Sequence, residues 1–164
     1  MIPTQNQGRG AVVALLQEYQ KAVAELQLVI RDISPENLVA IVDAKTENPD
    51  CRSIQTILAH VVRSGFSYNV YIQNFRNIAA VRPEKIFRES AAEFVADLDL
   101  VVEYSYKTFE TINDSDIEFF DTNNKINTAW NQQYDIEQLM EHAIVHILRH
   151  RRQIECFLKV LSEK

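Results

Sequence analysis

Three of the 4 histidines in the sequence fall at His142, His146 and His150, spaced i, i+4, i+8. Residues four apart stand one turn apart on one helix face, so neighbours in this series can grip the same metal ion. The remaining one, His60, lies in a separate apolar stretch, Ile57-Leu58-Ala59-His60-Val61-Val62. A pair of imidazoles on one helix plus one residue from a facing helix makes a workable three-ligand site. Zinc and nickel both accept imidazole nitrogen. Three neutral imidazoles leave coordination positions open, as in catalytic rather than structural sites. Such an ion lowers the pKa of a bound water to about 7, or binds and activates a thiolate. The plainer alternative is a stripe of histidines facing water.

Long helices must position these side chains. From Ala11 to Asp32, Val12, Leu15, Leu16, Tyr19, Val23, Leu26 and Ile30 recur at steps of three and four, the period of an amphipathic helix. Ser34-Pro35-Glu36 offers an N-cap and a Pro at the first helical position, and so a short helical turn. Val42 to Arg52, with Asn48-Pro49-Asp50, reads as loop. A second long helix is predicted from Ser53 to Ala79 or Ala80, before Arg82-Pro83, with Gly65 weakening its middle by about 1 kcal/mol. Ser90 and Glu93 form a capping box for a third, followed by Phe94, Leu98, Val101, Val102, Ser105, Phe109 and Ile112. Asn113 to Gln133 is polar and Asn-rich, long for a connection in a compact domain, which suggests a functional loop. Trp130 is expected to be mostly buried there, pinning the loop to the start of the last helix. That helix opens with Asp135 and Gln138, a second capping-box spacing, and runs to Leu161.

Four such helices predict an all-α four-helix bundle with long loops: residues 1–10 a flexible leader, 11–164 one domain. Composition agrees. The 164 residues suffice for one domain, 46% are hydrophobic and 24% charged, and 3 Gly with 4 Pro are too few for an all-β fold. The net charge of −6 argues against phosphate-backbone binding, so no nucleic acid is expected. No apolar run approaches a membrane span, Met1 to Gly10 lacks a signal-peptide core, and a pair of cysteines is no disulfide framework, so the expected location is cytoplasmic. Charge is uneven: Glu84 to Asp121 is acidic, while Arg149, Arg151 and Arg152 make the end of the last helix basic.

At roughly 100° per residue, His150 lies about 40° from the apolar centre of its helix, His146 about 80° and His142 about 120°. The first two sit at the core edge; His142 turns toward solvent. His60 is about 120° from its own helix's apolar centre, on a stripe with Ser64, Ser67 and Tyr71. A glycine-rich phosphate loop is absent from the sequence, as is a repeated Glu-x-x-His pair of the di-iron kind. Cys156 on its helix reads as packing before nucleophile.

The stretch His146-Ile147-Leu148-Arg149-His150-Arg151-Arg152-Gln153 resembles the H-x-x-x-H-R-G-Q motif of the DinB-like, YfiT-like superfamily. That family also carries a histidine in its second helix, as His60 is here. Arg152 stands where the pattern usually has Gly, but it points away from the apolar centre. The resemblance implies an up-down-down-up four-helix bundle. It implies one divalent metal, nickel or zinc, bound by His60, His146 and His150. It also implies a homodimer, and a metal-dependent thiol S-transferase or hydrolase, with a low-molecular-weight thiol or other small molecule as partner. Tyr71, Trp130, Arg149 and Gln153 are candidate substrate contacts; no catalytic base is assigned. The alternative is a non-catalytic metal-binding stress-response or interaction module. Running the helices this way places Cys51 and Cys156 at one end of the bundle. A concave pocket beside the histidines would favour an enzyme.

Overall fold

The computed structural model describes residues 8–121 and 123–163. It is all-α: α1 Gly10–Ile30, α2 Pro35–Val39, α3 Ile54–Phe75, α4 Ala91–Thr108 and α5 Ile136–Ser162. Short 3-10 turns lie at Pro49–Cys51 and Asp114–Asp116, and β1 Ile126–Asn127 pairs antiparallel with β2 Gln133–Tyr134.

Local chemistry sets the helix starts. Ser53 with Thr56, Ser90 with Glu93, and Asp135 with Gln138 each close a reciprocal capping box. Each satisfies backbone N–H groups that a helix start leaves unpaired, at about 1 kcal/mol per cap. The apolar faces then meet. α1 and α3 each pack against both α4 and α5. Tyr19, Leu26, Phe94, Phe109, Ile57, Ile72 and Ile154 are buried together in the shared core. Hydrogen bonds tie specific levels of the helices. Gln27 near the end of α1 donates to Val95 O and Asp99 in the first half of α4. Asn69 and Gln73 in the second half of α3 reach Ser105 and Thr108 at the end of α4.

Several boundaries differ from the sequence expectation. α3 stops at Phe75 rather than Ala79, because Asn77 takes φ 61 and the Asn74 side chain bonds both Ala80 N and Ala80 O. α4 ends at Thr108 before Ile112, which stays buried outside the helix. The polar connection contains the 3-10 turn and the small ladder, reversed near Asn131 with φ 61. Of the expected leader, residues 1–7 lie outside the described residues. Arg9 is held by the carbonyls of Phe109 and Ile112, and helix α1 already begins at Gly10.

Gly65 has a packing role that its helix propensity does not convey. A Cβ there would lie 2.5 Å from Val101 Cγ1 on α4 and 3.0 Å from the Tyr19 hydroxyl. The missing side chain lets α3 and α4 approach. Gly65→Ala therefore destabilises the fold by about 1–3 kcal/mol despite alanine's better propensity. Thermal unfolding reads this as a drop of several degrees; an unchanged or raised midpoint would contradict it.

Candidate metal centre

His60 comes from the second turn of α3, and His146 and His150 from successive turns of α5. Their rings form a triangle with centroid separations of 4.9 Å (His60 to His146), 5.1 Å (His60 to His150) and 4.5 Å (His146 to His150). One nitrogen from each lies within 4.8 Å of the others. The Nε2 atoms of His60 and His146 face one another at 2.9 Å.

The outer ring nitrogens explain this orientation. Asp50 Oδ2 lies 3.2 Å from His60 Nδ1, and Gln153 Oε1 lies 3.0 Å from His150 Nδ1. An ionised carboxylate and an amide carbonyl only accept, so each fixes the ring proton on Nδ1 and leaves an Nε2 lone pair inward. His146 Nδ1 is buried without a hydrogen-bond partner among the described residues. Its ring is held by the helix and by its neighbours rather than by an acceptor. Two inward nitrogens this close need a proton or a cation between them. The donor set therefore fits a divalent ion that favours imidazole.

Burial keeps these rings neutral. It pushes His146 down to about 2, helped by the positive charge that His150, His60, His142 and Arg149 would carry. His150 is pushed down to about 4, again chiefly by burial and then by His60. His60 is lowered too, burial outweighing the opposing pull of Asp50. Neutral imidazole is the form that binds metal.

A cavity of about 360 Å³ opens beside the triangle, with His60, His146, His142, Tyr68, Trp130 and Asp50 in its wall. Ser64, Ser67, Arg63 and Arg82 complete it. His142 lies outside the three-histidine cluster, half-buried, with its ring stacked on Trp130 at 5.3 Å and its Nδ1 3.3 Å from the Tyr134 hydroxyl. Trp130 is 39% exposed, which corrects the expectation that it is mostly buried. It nevertheless joins the loop to the start of α5, through His142 and Tyr134, and meets Tyr68 and Tyr71 edge-on. A mouth residue needs one open face, and the short β1–β2 reversal leaves the indole there.

The other candidate contacts divide. Tyr71 accepts a hydrogen bond from Ala129 N at 2.9 Å, so its hydroxyl anchors the loop, and it lines a smaller side pocket. Gln153 is engaged with His150. Arg149 is exposed and reaches the site through its charge. Arg152 is exposed. Cys51 and Cys156 are both free thiols.

The model of the family described as the DinB family matches residues 3–161. The chain belongs to the DinB family. No significant match appeared among curated proteins, and none among solved structures. For a DinB-family chain the histidine motif was readable in the sequence, but Asp50 was not. It lies in a segment that reads as a plain Asn-Pro-Asp turn. Asn48 caps that turn by accepting from Asp50 N, and the turn delivers the carboxylate to His60. Arg63 carried a weak signal, since it lies three residues after His60 on the same helix face.

Proposed function

We propose that this DinB-family protein binds one divalent ion, nickel or zinc, through His60, His146 and His150, and works as a metal-dependent thiol S-transferase or hydrolase. The observation that carries the reading is the convergence of three neutral imidazoles beside an open cavity. An ion there would supply Lewis acidity to a thiol or a water at the cavity floor. Asp50 and Gln153 orient two of the three rings. Burial withholds protons from all three. His142, its pKa lowered by partial burial, lines the same cavity and is able to accept a proton from a ligand there. Tyr68 and Trp130 give apolar walls against which a small molecule can pack. The open cavity favours turnover over a non-catalytic metal module.

An up-down-down-up four-helix bundle is the arrangement we infer. The bonds of α1 to the opposite end of α4, and of α3 to the matching end of α4, support it. The meeting of His60 with His150 and of Tyr68 with His142 supports antiparallel α3 and α5. We also infer a cytoplasmic homodimer that takes a low-molecular-weight thiol or other small molecule and no nucleic acid. Among the described residues, no helix is long and apolar enough to cross a membrane.

Metal analysis of the purified protein, followed by thermal-shift screening with low-molecular-weight thiols, tests the reading. One ion per chain and a thiol-dependent shift are expected. A metal-free protein that takes up neither nickel nor zinc would contradict it. Asp50→Ala is expected to weaken zinc affinity about 10–100-fold by freeing the His60 ring. A competition titration with a chelator checks this, and unchanged affinity would remove Asp50 from the site.

A further inference from the structure

We propose that the cavity is an oxyanion-binding pocket, with Arg63 and Arg82 holding a carboxylate or phosphoryl group of the small molecule that reaches the histidines. The proposal rests on the reading of this cavity as the substrate site. Arg63 and Arg82 line the same cavity as His60 and His146. Neither forms an ion pair among the described residues. Arg63 makes a long Nε bond of 3.4 Å to Pro83 O, which leaves its terminal N–H groups for a ligand. The one acid in the wall, Asp50, is already engaged: Oδ1 by Lys85 and Oδ2 by His60. The wall therefore carries unneutralised positive charge on a chain whose net charge is −6.

Arg82 is placed by the chain around it. The segment between α3 and α4 is tied at Ala80 by Asn74, at Pro83 by Arg63 and at Lys85 by Asp50. Three ties within six residues hold the segment that carries Arg82 at the cavity wall. Guanidinium groups recognise planar or tetrahedral oxyanions through paired N–H donors, and a concave wall strengthens the attraction.

The test uses calorimetry with defined probes. On zinc-loaded protein, 3-mercaptopropionate is expected to bind at least about tenfold tighter than uncharged 2-mercaptoethanol. The double variant R63Q/R82Q should bring the ratio near one, with zinc stoichiometry and 2-mercaptoethanol affinity unchanged. R63K/R82K should restore part of the preference. On metal-free protein, succinate or methyl phosphate should bind in a salt-sensitive way that R63Q/R82Q abolishes. Whichever binds tighter tells a carboxylate ligand from a phosphoryl one. A ratio near one in the unmodified protein, or a preference that survives R63Q/R82Q, would overturn the proposal. Zinc failing to bind while arginine-dependent anion binding persists would sink the metal reading and leave this one standing.

Discussion

His146→Ala is expected to abolish binding of the proposed zinc or nickel ion, whereas His142→Ala is expected to leave the ion in place. The asymmetry follows from position. His146 is central to the triangle, 4.9 Å from the His60 ring and 4.5 Å from the His150 ring. Its loss leaves a two-imidazole site, too few for tight binding of an open-coordinate ion. His142 is one turn away, 6.4 Å from His146, and belongs to the aromatic wall with Trp130 and Tyr134. Metal content measured on both variants, alongside circular dichroism to show that each is folded, separates the roles. Loss of metal in His142→Ala with retention in His146→Ala would reverse the assignment.

Acidification from pH 8 to pH 5 strongly destabilises the metal-free protein. Burial pushes His146 down to about 2 and His150 down to about 4 in the fold, from the ordinary value of 6.5 that the unfolded chain keeps. A basic group with a depressed folded pKa contributes its full stability above the unfolded value. That stability is lost as pH falls from 6.5 toward the folded value, because the unfolded chain takes up the protons. At pH 5 His150 alone accounts for about 2 kcal/mol, and His146 acts in the same direction. The melting midpoint of metal-free protein should fall by several degrees or more between pH 7 and pH 5. The decline should be reduced but not removed in His146→Ala, because His150 still contributes its share. A midpoint that is flat over this window, or that rises on acidification, would show that the rings are not held neutral.

The parts legible in the sequence are those governed by local chemistry. Helical periods and the Ser90–Glu93 and Asp135–Gln138 boxes located the long helices, and the i, i+4 spacing put His146 and His150 on one face. The parts that were not legible depend on chain reversal and close approach. Asp50 reaches His60 because a 3-10 turn folds back onto α3, and nothing in Asn48-Pro49-Asp50 announces that destination. Arg82 reaches the cavity because Asn74, Arg63 and Asp50 pin its segment, and the contacts of Arg63 and Asp50 come from parts of the chain distant in sequence. Gly65 reads as a weak helix position until Val101 and Tyr19 are seen against it. Trp130 is apolar enough to suggest burial, but the loop carries it to a pocket mouth.

X-ray absorption on the protein loaded with a single equivalent of zinc reads the ligand set of His60, His146 and His150 at the ion itself. Three imidazole nitrogens are expected at about 2.0–2.1 Å, with the remaining ligand from solvent or from an added thiol, whose sulfur should appear at about 2.3 Å. The same spectrum from His60→Ala protein should lose the three-imidazole pattern. A fourth imidazole, which would bring in His142 and close the open position, would contradict it. So would a spectrum of oxygen ligands alone.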